Sequence, residues 1–116
     1  NDLNAEIAIL LLEEMGFSVD RVEDGIFCVD KLEKEPTGTY DLILMDIQMP
    51  NMDGYKAASI IRHLPDVGKS GIPIVAMTAN AFAEDRKKAF EAGMNGHIAK
   101  PIDASKIKET LAEILK

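Results

Sequence analysis

Tryptophan is absent from this chain, cysteine occurs once, and aromatic residues make up 5% of it. The lone thiol, Cys28, cannot close an internal disulfide, and no Cys and His pairing has the spacing of a zinc site. A disulfide scaffold and a structural zinc are thereby excluded, and a reducing, cytoplasmic setting is expected. Long apolar runs are missing too. The longest, Ile7 to Leu12, falls far short of the roughly 18 residues needed to cross a bilayer, and no basic signal-peptide segment precedes it. Positive charge is in deficit: 13 Lys and Arg face 20 Asp and Glu, a net charge of −7 with a pI near 4.7. Such a segment is repelled by phosphate backbones and anionic membrane surfaces, so it is expected to have neither nucleic acid nor membrane as a partner. Repeats and low-complexity linkers are also lacking, and 116 residues leave room for one domain.

What remains is ordinary for a folded chain, since 47% hydrophobic and 28% charged residues are wrong for a disordered or fibrous one. Short apolar runs alternate with helical patterns, the signature of βαβ units around a parallel sheet. The pattern predicts a first helix over about Leu3 to Met15, with Asn1 or Asp2 able to cap it, Glu6 in an early turn and Gly16 as its stop. Its middle, Ile-Ala-Ile-Leu-Leu-Leu, is apolar nearly all round and leaves apolar surface for a partner or a dimer. Phe17 to Val22 alternates as a half-buried edge strand does, and Glu23-Asp24-Gly25 turns the chain into a helix over about Ile26 to Glu35. Leu42 to Met45 is a continuous apolar run ending in Asp46, the mark of a central parallel strand covered on both faces. Beyond a loop punctuated by Pro50 and Gly54, a helix is expected over about Tyr55 to Leu64 and a second buried strand over Ile72 to Met77, ended by Thr78. A helix over about Asn80 to Ala92 closes at Gly93, and a short His97-Ile98-Ala99 strand leads to Lys100-Pro101. A last amphipathic helix, from about Asp103, sets Ile107, Leu111, Ile114 and Leu115 on one face.

Ligands of open parallel sheets bind outside the carboxyl ends of the strands, so polar residues that end separate strands converge on one place. Here these are Asp46, Thr78 and Lys100. Each alone has an ordinary reading, as a cap, a turn residue or a solvated charge. Together they suit one reaction. A carboxylate can attack phosphorus to form an aspartyl phosphate, provided that cations neutralise the anionic oxygens it approaches. Lys100 can supply one cation, the Thr78 hydroxyl can donate to a second phosphoryl oxygen, and a divalent metal at Asp46 would serve the third. Magnesium, which prefers oxygen ligands, suits that place. A phosphatase with an aspartate nucleophile would need a second Asp two residues on, where Gln48 stands. Cys28, Met45, Met49, Met52 and Met77 read as packing residues.

The run Leu42-Ile43-Leu44-Met45-Asp46-Ile47-Gln48-Met49-Pro50-Asn51-Met52-Asp53-Gly54 resembles the phosphoacceptor segment of the receiver domains of two-component signalling proteins. Ala76-Met77-Thr78-Ala79-Asn80-Ala81 resembles that family's fourth strand and hydroxyl position. Ala92-Gly93-Met94-Asn95-Gly96-His97-Ile98-Ala99-Lys100-Pro101 resembles its fifth-strand lysine motif, so the likeness covers essentially the whole chain. In style it is most similar to receivers within hybrid sensor histidine kinases, a style that stand-alone regulators share. The resemblance implies an α/β fold of three layers, a doubly wound parallel sheet (flavodoxin-like) with strand order 2-1-3-4-5. It also implies Asp46 as acceptor of a phosphoryl group from phosphohistidine, Thr78 as the switch hydroxyl and Lys100 as the phosphoryl contact. The backbone carbonyl of Gln48 would join Asp46 as a magnesium ligand, and the Lys100-Pro101 bond would be cis. Implied partners are a histidine kinase or a histidine phosphotransfer domain, docking near the first helix and the Lys100 loop. Self-phosphorylation is the one catalytic act implied for the domain itself, with or without a hybrid kinase around it. His97 stands where many relatives carry the rotating aromatic of the switch, with a half-exposed strand histidine as the alternative.

The family opens with a hydrophobic strand ending in two acidic, metal-holding residues, followed by an Asn at the start of the first helix. Asn1-Asp2-Leu3-Asn4 matches from that Asn onward. Residues 1–116 are therefore expected to form a receiver domain without its N-terminal strand and acidic pair. The absent strand would lie between the Phe17 and Leu42 strands, and its absence leaves two edges with unpaired backbone groups. Either it lies just upstream, or the sheet is repaired by strand exchange or a homodimer. For these residues by themselves the expectation is weak magnesium binding and poor phosphorylation of Asp46. A phosphorylation-independent interaction module is the rival reading, separated from the first by treatment with magnesium and acetyl phosphate.

Overall fold

Three apolar segments too short for helices form the sheet of the computed structural model, which describes residues 2–48, 51–79 and 83–115. Strands β1 (Ile43–Asp46), β2 (Ile74–Thr78) and β3 (Gly96–Ala99) pair in parallel in the order β1-β2-β3. Parallel neighbours need crossover connections, and helices supply them. The helices are α1 (Asp2–Glu14), α2 (Gly25–Lys34), α3 (Gly54–Arg62), the single turn α4 (Val67–Ser70), α5 (Ala83–Glu91) and α6 (Ala104–Ile114). Aspartates start four of these helices. Asp24 accepts the N–H of Phe27, Asp53 that of Lys56, Asp66 those of Gly68 and Lys69, and Asp103 that of Lys106. The turn α4 was not anticipated from the periodicity, and the Asp66 cap is what holds it. Of the expected features, the Asn1 cap, Met49, Pro50 and the Asn80 helix start lie outside the described residues.

Side chains alternate across the sheet. Ile43, Met45, Ile74 and Ala76 pack with Val29 and Leu32 of α2, Ala57, Ala58 and Ile61 of α3, and Ala89 of α5. Leu44, Val75, Met77 and Ile98 face the other way, onto Ala8 and Leu12 of α1 and Ile107 and Leu111 of α6. The result is the expected three-layer, doubly wound α/β arrangement. Helix α1 leaves Leu3 and Leu10 63% and 61% exposed, the apolar surplus foreseen in its sequence.

Two expectations change. The centre of the described sheet is β2, all of whose residues are buried, whereas only Met45 of β1 is fully so. The strand expected over Phe17 to Val22 is not hydrogen-bonded into the sheet. Between this segment and β1 lies a cavity of about 630 Å³, with Ser18, Val19 and Asp20 on one wall and Ile43, Leu44 and Met45 on the other. A ladder needs a neighbour about 4.8 Å away, so alternation alone does not make a strand here. Phe17 and Val19 pack instead against the α1 and α6 core, and the Tyr40 hydroxyl donates to Asp20 at 2.6 Å, tying the two walls together.

Candidate functional site

The register of the ladder decides which residues meet. Asp46 pairs with Met77, and Thr78, one residue further, pairs with Ala99. The pattern continues past the strands: Ile47 N–H donates to the Met77 carbonyl at 3.2 Å, and Lys100 N–H donates to the Thr78 carbonyl at 2.7 Å. Thr78 therefore stands one position beyond Asp46 along the ladder, and Lys100, just past the end of β3, one position beyond Thr78. Asp46, Thr78 and Lys100, far apart in sequence, arrive at one edge of the sheet.

Lys100 reaches across. Its Nζ donates to Asp46 Oδ2 at 2.9 Å, with the two side chains 15% and 18% exposed. Partial burial shields this pair from the screening that weakens surface ion pairs, while leaving it accessible to a ligand. The other oxygen, Oδ1, accepts the main-chain N–H of Gln48 at 3.0 Å. Thr78 is buried beside them. The Lys100-Pro101 bond is cis, as the resemblance implied. Gly54 N–H donates to the Ile47 carbonyl at 3.0 Å, and a Cβ on Gly54 would stand 2.7 Å from the Asp46 carbonyl. Only glycine lets α3 begin so close beneath the site.

His97 pairs with Ala76, so alternation places it on the same sheet face as Thr78. It is half-buried. Desolvation, and then the charge of Arg86, push its imidazole below the ordinary histidine pKa and favour the neutral ring. The sheet thus brings His97 to the face of Thr78 and aligns Gln48 on Asp46.

Residues that sequence reasoning passed over also border the site. Asp24, read only as part of a turn, is buried; its Oδ1 caps α2 at Phe27 N–H, 3.1 Å away, and its Oδ2 accepts Asn51 Nδ2 at 2.8 Å. The Asn51 bond, and then the Phe27 N–H, hold its carboxyl below the usual aspartate range. Asp24 thereby fastens the loop after Asp46 to α2. Lys106, in the first turn of the amphipathic last helix, turns its ammonium to main-chain carbonyls on either side of Lys100. The Asp-Gly helix start at Asp24 was a usable signal, whereas nothing in the sequence marked Lys106.

Magnesium takes about six oxygen ligands. The candidate donors here are the Asp46 carboxylate and the Gln48 carbonyl, and among the described residues there is no cluster of three or more His, Cys, Asp or Glu able to hold a metal ion. These donors make an incomplete set for that ion.

The family model described as the response regulator receiver domain matches residues 1–112. The chain is 40% identical over 114 residues to hybrid signal transduction histidine kinase L of Dictyostelium discoideum, covering 96% of this chain and 7% of that protein. It is 38% identical over 111 residues to the signal transduction histidine-protein kinase BarA of Escherichia coli (strain K12), covering 96% of this chain and 12% of BarA. It therefore spans only a small fraction of the length of these curated relatives. Among solved structures it is similar to the receiver domain of sensor histidine kinase PA1611 from Pseudomonas aeruginosa PAO1, which has a magnesium ion coordinated in its active-site cleft. That likeness has a TM-score of 0.85 at 36% identity and covers 99% of this chain and 90% of the other. A putative response regulator from Chloroflexus aurantiacus superposes with a TM-score of 0.89 at 28% identity, again covering 99% and 90%.

Proposed function

Because this chain belongs to the response regulator receiver domain family, we propose that Asp46 is its acceptor for a phosphoryl group delivered by a phosphohistidine in a two-component phosphorelay. The observation that carries the assignment is the 2.9 Å contact from Lys100 Nζ to Asp46 Oδ2. A carboxylate oxygen of Asp46 bonds to phosphorus as the phosphorus–nitrogen bond of the donor breaks. The electron pair of that bond leaves with the imidazole, which takes up a proton. The negative charge on the transferring group is the obstacle, and Lys100 is already in place to meet it. Its ammonium passes from the carboxylate to a phosphoryl oxygen, and the Thr78 hydroxyl donates to another. Gln48 N–H holds Oδ1 throughout, so the carboxylate keeps its orientation. Thr78 and His97, on one face of the sheet, are the proposed switch pair that reports the new phosphoryl group. Magnesium is the proposed cofactor, with Asp46 and the Gln48 carbonyl as ligands from this chain and weak affinity for these residues alone.

The proposed partners are a histidine kinase or a histidine phosphotransfer domain, docking on the exposed apolar side of α1 around Leu3 and Leu10 and near the Lys100 loop. That same apolar surface would serve a homodimer. No described helix is long and apolar enough to cross a membrane, and the net charge of −7 disfavours nucleic acid. The proposed setting is the cytoplasm. The deciding experiment treats the full-length protein with magnesium and acetyl phosphate and measures intact mass. A phosphoryl adduct that disappears in Asp46→Asn supports the assignment. An adduct that persists in that variant removes it.

A further inference from the structure

We infer that Lys106 is a positioning residue for the phosphoryl site, acting through Lys100. The inference rests on the reading of Lys100 as the phosphoryl contact and adds the device that holds it. Asp103 caps α6 and accepts Lys106 N–H at 2.9 Å, which fixes the main chain of Lys106 in the first turn. From there the side chain folds back over the loop that enters the helix. Its Nζ donates to the Pro101 carbonyl at 3.1 Å and to the Ala99 carbonyl at 3.4 Å. These are the carbonyls of the residues immediately before and after Lys100. From the sheet side, Lys100 N–H is held by the Thr78 carbonyl at 2.7 Å. The main chain around Lys100 is therefore gripped by β2 on one side and by a side chain of α6 on the other.

The grip matters because of what Lys100 has to do. Its ammonium touches a carboxylate oxygen before transfer and a phosphoryl oxygen after it, positions separated by about the length of the new bond to phosphorus. The side chain must move while its root stays fixed. Carbonyl contacts from an ammonium are charge-assisted and stronger than neutral ones. Among the described residues the Lys106 ammonium meets no carboxylate, so its charge is spent on this loop. A misplacement of the root of Lys100 carries directly to its tip, and transfer steps are steep in such errors.

The test measures the rate of Asp46 phosphorylation by acetyl phosphate at saturating magnesium in the full-length protein. It uses Lys106→Met, Lys106→Arg, Lys100→Met and the Lys100→Met, Lys106→Met double variant. We expect Lys106→Met to slow the reaction roughly tenfold, Lys106→Arg to recover most of that rate, and Lys106→Met to add nothing once Lys100 is gone. A readout independent of turnover is the side-chain carboxylate ¹³C resonance of Asp46. It should move in Lys106→Met when Lys100 is present and stay fixed in the Lys100→Met background. A rate and a resonance unchanged by Lys106→Met, or equal effects in both backgrounds, overturn the inference. An adduct that survives Asp46→Asn instead overturns the acceptor assignment on which it rests.

Discussion

Asp46 has a different donor on each carboxylate oxygen: a fixed main-chain N–H from Gln48 on Oδ1 and a mobile ammonium from Lys100 on Oδ2. This asymmetry separates orientation from charge neutralisation, so the two can be removed separately. Lys100→Met leaves the Gln48 bond intact, and we expect it to slow phosphorylation by about 10²- to 10³-fold, read from the rate of adduct formation. Lys100→Arg should not restore the wild-type rate, since a planar guanidinium does not reproduce a compact ammonium on a flexible stem. Asp24 makes a pH prediction. Its carboxyl is depressed below the ordinary aspartate value of 3.8 by Asn51 and Phe27, so its contribution to stability is complete above that value and fades as pH falls through the lower folded-state value. Urea midpoints taken on either side of that window should fall less on acidification in Asp24→Asn than in the wild type; equal falls would refute the account. Asp66, depressed in the same direction, keeps part of the acid sensitivity in both proteins. Asp46, Thr78 and Lys100 were legible in the sequence because each follows an apolar run at the end of a strand. The partner of Asp24 was not, because Asn51 lies 27 residues away and reaches it only through the packing of α2 against the Asp46 loop.

Helix α3 has a position at each end that controls how closely it approaches its neighbours. In the loop from β1 to α3 that position is Gly54, where a Cβ would meet the Asp46 carbonyl at 2.7 Å and Ile47 Cα at 3.1 Å. We expect Gly54→Ala to cost about 1–3 kcal/mol, by chemical denaturation, and to slow phosphorylation as Asp46 is displaced. At the other end of α3 the control is Arg62. Its guanidinium donates to the carbonyls of Gly93, Ser70 and Ile72 and to Asn95 Oδ1, which also accepts the Ile74 N–H. Arg62→Ala strands those carbonyls, and we expect a loss of about 2–4 kcal/mol, with Arg62→Lys recovering only a minor part because it lacks the fork. Sequence periodicity located α1, α2, α3 and the start of α6 to within a residue or two, because their caps and apolar faces are local properties, and it missed the single turn α4. It failed for Phe17 to Val22, where alternation was present and a ladder was not. Strand formation is a property of pairs, and among the described residues no strand pairs with this segment across the cavity.

Across the whole molecule, protection should follow the layers. β2 is buried along its length between two core clusters, while the segment 17–22 carries no ladder. In residues 1–116 by themselves, hydrogen exchange followed by mass spectrometry or NMR should find the amides of Val75 to Met77 among the slowest and those of Ser18 to Val22 far faster. Comparable rates in the two segments would argue against this sheet. Asp46, Thr78 and Lys100 each stand one step further along the ladder than the last, and this limits how such a chain can vary. The site is a matter of phase: a residue gained or lost in the connection over 64–69 can be absorbed outside the ladder, so the three functional groups still meet. One residue inserted within β2 would turn Thr78 to the opposite face and push the root of Lys100 out of step with Asp46. Insertions and deletions are therefore tolerable between the strands and ruinous within them, however conservative the residue added.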